Sequence, residues 1–174
     1  MADLWETMAA DAAAESSLWA DCLVPGAERD GEPVFSLLGE ARYALGLETI
    51  YEGYLVHHGR PRLFAPPDDD TALLLGDYLY AHGVARISAL REVEAVSDLA
   101  ELISLCSQLR AENADGDGPL WAATAAMLGR GELEEARTAL RLRSDPEPLD
   151  RMARSAAGDE AVDSALAAHA SRRG

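Results

Sequence analysis

The chain has 174 residues, 48% of them hydrophobic, and 31 Asp and Glu against 15 Lys and Arg, a formal net charge of −16. That length accommodates one domain with a core of its own, and that charge repels phosphate backbones and anionic lipid, so neither nucleic acid nor a membrane surface is expected as a partner. All 15 basic positions are arginine, which excludes a phosphate-loop lysine and lysine Schiff-base chemistry.

Much of the apolar fraction is alanine, a strong helix former, and β-branched residues are scattered, so the composition predicts an all-α fold. Residues 2–22 read as a first helix, with Leu4, Trp5, Met8, Leu18, Trp19 and Cys22 roughly on one face. The acidic start lacks the charge pattern of a signal peptide, and no stretch approaches a membrane span. A cytoplasmic location without membrane insertion is therefore expected, with Cys22 and Cys106 reduced and buried. Residues 24–33 carry Pro25, Gly26, Gly31 and Pro33 and read as a turn region. A longer helix is predicted over 34–57, with Phe35, Leu38, Ala41, Leu45, Tyr51 and Leu55 at three-to-four spacing. Gly39, Gly46 and Gly53 recur every seven residues there. Each costs about 1 kcal/mol against alanine in a helix, so a stripe of them predicts a close helix crossing.

Residues 58–69 form a proline-rich loop, and Asp68, Asp69 and Asp70 mark the start of the next helix, where carboxylates favour the helix dipole. That helix is predicted over 71–91, with Leu74, Leu75, Tyr78, Leu79, His82, Ala85 and Leu90 on its apolar face. Another follows over 96–112, with Leu99, Leu102, Ile103, Cys106 and Leu109 inward. The ADGDG at 114–118 is a breaker. Beyond it, short helices are expected near 119–129, 132–143, 146–157 and 159–171, as a C-terminal extension (114–174) of the helical core formed by 1–113.

Few constellations carry chemistry. Asp68 to Asp70 are consecutive rather than spaced to share a helix face, which fits a solvated helix start better than a magnesium site. His57 and His58 are adjacent and point about 100° apart on a helix, and neither they nor His82 have a fixed partner for a metal. Asp115 to Gly118 lacks the later glutamate of a calcium loop. The sequence contains no nucleophile-elbow, zinc-helix or glycine-rich phosphate motif. No catalytic residue and no metal ligand is therefore assigned.

Several landmarks in order do carry a resemblance. Leu55, Val56 and His57 close a helix; Gly59, Arg60 and Pro61 follow in a turn; Gly76, Asp77, Tyr78 and Leu79 sit early in the next helix; and Gln108 lies in the helix after that, preceded by Ser107. The stretch from Leu47 to about Arg110 resembles the central helices of trans-polyprenyl diphosphate synthases. The resemblance implies an antiparallel helical bundle, here a shortened isoprenoid-synthase-like one. It also implies where a site would be. In that family an aspartate-rich D-D-x-x-D segment binds the magnesium that bridges the allylic diphosphate; here His57 and His58 run directly into Gly59. The upstream basic motif would correspond to Gly26 through Pro33, which reads GAERDGEP. Without the aspartates the leaving diphosphate has no cation to neutralise it.

What the resemblance implies is a non-catalytic subunit of a heteromeric polyprenyl diphosphate synthase, paired with a catalytic chain whose product tunnel it shapes or stabilises. Magnesium would enter only through a site on that partner. Arg60, Arg62, Asp77 and Gln108 are the vestigial ligand-binding candidates, with the loop arginines otherwise solvated. Gly39, Tyr43, Gly46, Tyr51, Gly53 and Tyr54 are the interface candidates, toward the catalytic chain or a second copy, unless they pack the chain's own core. The alternatives are a stand-alone helical binding or regulatory protein with ancestral resemblance only, and a transferase with a rearranged site using Asp68 to Asp70.

Overall fold

The computed structural model describes residues 3–26, 29 and 31–173. The fold is all-α and 74% helical. Its helices are α1 (Leu4–Glu15), α2 (Ser17–Asp21), α3 (Ala44–His58), α4 (Asp69–Ser88), α5 (Val93–Ala111), α6 (Asp117–Met127), α7 (Glu134–Arg143), α8 (Glu147–Ala157) and α9 (Asp159–Arg172). Among the described residues the only extended pairings are two isolated bridges, Leu23 with Phe64 and Gly59 with Arg173. No described helix is long and apolar enough to cross a membrane.

Two predicted helices break, each for a local reason. The span 2–22, whose first residue lies outside the described residues, divides at Ser16. Its backbone is extended (φ −157°, ψ 138°), and its hydroxyl accepts the Leu18 N–H, capping α2. Leu18, expected on the buried face, is 43% exposed. The span 34–57 is helical only from Ala44; Ser36–Leu38 and Ala41–Tyr43 are single 3-10 turns. The N–H groups of Val34 and Ser36 both donate to Glu48 Oε1 at 3.0 Å. Residues 34–43 thus fold back across α3 instead of extending it. Gly39 is extended rather than helical (φ −121°, ψ −167°) and presses on α6, where a Cβ would lie 2.3 Å from the Ala125 carbonyl oxygen.

The central pair is α3 and α4, antiparallel and very close. Gly46 and Gly53 on α3 face Gly83 and Gly76 on α4. A Cβ at Gly83 would stand 2.8 Å from the Gly46 carbonyl oxygen, and one at Gly53 would stand 3.0 Å from that of Gly76. Two of the three glycines in the stripe therefore serve a helix crossing within the chain.

α4 begins at Asp69 because Asp68 caps it, its carboxylate accepting the Thr71 N–H at 2.7 Å. Its predicted apolar face is narrower than expected: Leu75 and Leu79 are buried, but Leu74 is 57% and Leu90 40% exposed. α5 ends in a Schellman turn, with Ala114 N–H bonded to the Leu109 carbonyl at 2.8 Å and Asn113 left-handed at φ 52°.

The main core runs without interruption from Val34 and Phe35 through α3 and α5 to Leu120, Trp121, Leu149, Val162 and Ala165, so α6, α8 and α9 pack into the same interior as the earlier helices. Trp121 is its hub, stacked on Phe35 (centroids 5.6 Å) and edge-on to Tyr51 and Tyr54 (5.1 and 5.7 Å). A second cluster joins Trp5, Met8, Ala9 and Ala12 of α1 to Cys22, Leu63, Phe64, Leu75 and Leu79. Both cysteines are buried and free.

Candidate functional site

The four ligand-binding candidates do not meet. Arg62 is the clearest correction: it is neither a solvated loop arginine nor exposed to any ligand, being 2% exposed between Glu48 and Glu52, each 0% exposed. Its Nη1 donates to Glu48 Oε2 at 2.6 Å and its Nε to Glu52 Oε2 at 2.9 Å. Glu52 Oε1 accepts the N–H groups of Arg62 and Leu63, both at 2.8 Å. The guanidinium also lies 4.5 Å from the Trp5 ring centre and 4.9 Å from that of Tyr51. Burial works against its charge, but the two carboxylates outweigh burial and raise its pKa. This node fastens the loops around 32–36 and 59–63 to α3. The sequence did carry a signal for it: Glu48 and Glu52 are an i,i+4 acid pair inside an otherwise apolar run.

Arg60 stays on the surface, its guanidinium donating to the Ser171 carbonyl and its N–H to that of Arg172 at 2.9 Å. Gln108 bonds its own helix neighbour Glu112 at 3.0 Å. Asp77 lies 3.3 Å from His57 Nε2. The interface candidates are likewise inside the chain: Tyr43, Tyr51 and Tyr54 are 0–1% exposed, Gly46 and Gly53 are buried, and Gly39 is half-buried. As folded, none of these three tyrosines offers a partner more than a trace of its surface. The candidate upstream basic motif is only partly visible, since Ala27, Glu28 and Asp30 lie outside the described residues; Arg29 bonds the Val24 carbonyl (3.1 Å) and Glu6 (3.0 Å).

What the fold does assemble is a polar end where α3, α5, α6 and α9 converge. Asp117, at the start of α6, is 1% exposed. It accepts the Tyr54 hydroxyl at Oδ2 and the Gly118 N–H at Oδ1 (3.1 Å). His169 of α9 places Nε2 3.5 Å from Asp117 Oδ2, an ion-pair distance rather than a hydrogen bond, while its Nδ1 meets the Tyr51 hydroxyl at 3.0 Å. Burial alone would raise the Asp117 pKa; the neighbouring His169, the Tyr54 hydroxyl and the charge of Arg173 overcome it and hold the carboxyl well below the usual range. Burial, then the Asp117 carboxylate, push Tyr54 far up, so it remains a neutral donor.

Two guanidinium groups stand over Asp117, Arg110 Nη1 at 3.9 Å and Arg173 Nη1 at 3.6 Å. On the other side of Arg110 lies a cavity of about 570 Å³ lined by His57, His58, Gly59, Ser107, Arg110 and Ala111. His57 is pressed against Gly76, where a Cβ would meet its ring at 2.3 Å. The landmark pair Gly76 and Asp77 thus seats an imidazole. Burial lowers the His57 pKa, with Asp77 opposing; burial, His57 and Arg110 lower that of His58. Both shifts favour the neutral imidazole.

No three His, Cys, Asp or Glu side chains among the described residues converge as a metal-holding group. Among the described residues, the magnesium that the resemblance implies finds no such set of donors. Sequence reasoning missed Arg110, Asp117 and His169, which lie 52 or more positions from their α3 partners and share no motif with them.

A third feature lies outside the core. Helices α4 and α5 diverge and leave a groove of about 600 Å³ lined by Tyr80, Ala81, Val84, Ala85, Val96 and Ile103, with Asp77 and Ser88 along it. Val93, 78% exposed, continues the α5 stripe.

No family model, no curated protein and no solved structure matches this chain. The resemblance to polyprenyl diphosphate synthases rests on its sequence landmarks alone.

Proposed function

We propose that the chain is a non-catalytic helical subunit that works by docking onto a catalytic polyprenyl diphosphate synthase chain. The observation that carries the docking half is the α4/α5 groove. Val93, Val96 and Ile103 on α5 and Tyr80, Ala81, Val84 and Ala85 on α4 repeat at helical spacing on an outward face, the pattern of a surface that receives another helix. Ala81 and Ala85 let a backbone approach. In a chain with 31 acidic residues, the groove has one carboxylate, Asp77, among its lining residues. Apolar lining inside an acidic surround suits a helical partner with an apolar stripe and a basic rim. The identity of that partner rests on the ordered landmarks from Leu55 to Gln108 and on the replacement of the aspartate-rich segment by His57-His58-Gly59.

Co-expression with a catalytic synthase chain tests this reading. Co-elution on size exclusion and a changed product length are expected, and Val96→Glu with Ile103→Glu should weaken the complex by about tenfold or more while circular dichroism stays unchanged. Isopentenyl transfer by the purified chain with magnesium would overturn the non-catalytic half. Failure to co-elute would overturn the docking half.

A further inference from the structure

We infer that the polar end is a binding site for a phosphoryl dianion, seated between Arg110 and Arg173 over the C-terminal turn of α5. This inference is independent of the α4/α5 groove and of the prenyl-synthase reading.

The site is a small concavity of about 230 Å³ lined by Arg110, Asn113, Ala114 and Arg173, with no carboxylate among its lining residues. Four features point to an anion. First, both guanidinium groups are held in place by a carboxylate that they do not hydrogen-bond. Asp117 lies 3.9 Å from Arg110 and 3.6 Å from Arg173, close enough to fix the two cations and too far to saturate their N–H groups. Second, their remaining bonds are few and weak. Arg110 donates to the His58 carbonyl at 3.2 Å. Arg173 shares one oxygen of Asp115 at 3.3 Å from each of its Nη atoms, and that side chain is 93% exposed and free to turn away. A guanidinium has five N–H donors in a planar fork, so both retain donors for a tetrahedral oxyanion, the geometry at which arginine excels. Third, the Schellman turn sets the floor: Asn113, held left-handed, lines the concavity, and the Asn113 and Ala114 N–H groups occupy the Arg110 and Leu109 carbonyls, so that those two oxygens are already bonded rather than left to repel an anion. Fourth, the surroundings favour a phosphoryl group attached to something larger. The cavity of about 570 Å³ with His57, His58 and Ser107 adjoins through Arg110, which lines both, and it offers imidazole and hydroxyl groups to an organic body.

The concentration of charge is itself unusual for this chain. In a molecule of net charge −16, two arginines converge on one buried aspartate, and Arg60 is tied to the same end of α9 through the Ser171 carbonyl. Cations that keep N–H donors in reserve at such a point attract the anions that the rest of the surface repels.

The test is calorimetric titration of the full chain, at low salt and pH 7.5, with inorganic phosphate and separately with phenyl phosphate. Saturable binding is expected for at least one probe. Arg110→Gln and Arg173→Gln should each weaken it about tenfold, the equivalent of one charge-assisted hydrogen bond. Arg130→Gln, at an exposed arginine in a different cavity, should leave it unchanged. Tighter binding of phenyl phosphate assigns the site to a phosphate monoester whose body fills the adjoining cavity; equal or weaker binding assigns it to free phosphate. Arg173 follows the last turn of α9 with its side chain 33% exposed, so its variant is expected to fold, and circular dichroism checks this. No saturation with either probe, or equal affinity of the intact chain and the Arg173→Gln chain, would overturn the inference.

Discussion

The protein contains two buried charge nodes that both pack against α3, and they are built differently. Around Arg62, both carboxylates and the guanidinium are at most 2% exposed, and every carboxylate oxygen of Glu48 and Glu52 accepts a short, direct bond from Arg62 or from a backbone N–H. Around Asp117, which starts α6 and is bonded by Tyr54 of α3, the carboxylate is equally buried, but its cations lie outside hydrogen-bond distance and border cavities. His169 Nε2 is buried with no hydrogen-bond partner. A closed node has nothing left to offer a ligand and can only hold the fold together. An open one keeps donors in reserve. Burial of charge alone does not mark a site; unsatisfied donors beside a cavity do.

The largest expected effect breaks the closed node. Arg62→Met leaves Glu48 and Glu52 buried without a cation, and removing one partner of a buried ion pair costs about 3–5 kcal/mol. Chemical denaturation should show that loss. Adding Glu48→Gln and Glu52→Gln should restore part of it, because the stranded charges are then gone. A loss under about 1 kcal/mol for Arg62→Met would mean that the node behaves like a surface pair and that the contrast with Asp117 is empty.

The next effect probes the open node. Tyr54→Phe removes one donor from Asp117 while the Gly118 N–H and His169 remain, so a loss of about 1–3 kcal/mol is expected, smaller than at Arg62. Because Tyr54 does not line the Arg110–Arg173 concavity, phosphate affinity should survive. An equal or larger destabilisation than Arg62→Met, by the same denaturation measurement, would reverse the ranking of the two nodes.

Much of the fold was legible because helix signals are local. Pro and Gly punctuation placed α6 to α9 within a few residues, and Asp68 was readable as a cap. The 34–57 span misled because its apolar spacing continues through Phe35 and Leu38, whereas the break depends on Glu48 accepting two N–H groups from residues that precede it by 12 and 14 positions. Long-range bonds leave no period in the sequence. The candidate site suffered more for the same reason. Arg60 and Arg62 are two residues apart and look alike; one lies on the surface at α9 and the other is sealed against Trp5 and Tyr51. Only the acid pair at i and i+4 hinted at which. Arg173, near the end of a polar helix, gave no hint that α9 returns it to the foot of α5.

The smallest effect is a pH dependence that distinguishes the nodes without large damage. His57 and His58 have folded-state pKa values below 6.5, so the unfolded chain binds protons first as pH falls, and stability must decline with acid from about 6.5 downward. Asp117 is also depressed; its contribution is fully present above the unfolded carboxyl value of about 3.9 and is lost as pH falls toward its folded value. Two stages of acid destabilisation follow, one for each kind of group at the open end. Denaturation midpoints measured from pH 7.5 to 3 should fall in both. His58→Gln should flatten the upper stage and leave the lower, and Asp117→Asn should do the reverse. The upper stage is shallow, because Asp77 at His57 and Asp117 at His58 partly offset what burial does to the imidazoles. A midpoint that is flat from pH 7.5 to 5, or an upper slope retained after both histidines are replaced, would separate these residues from the stability of the open end and leave the contrast to rest on Arg62 and Tyr54 alone.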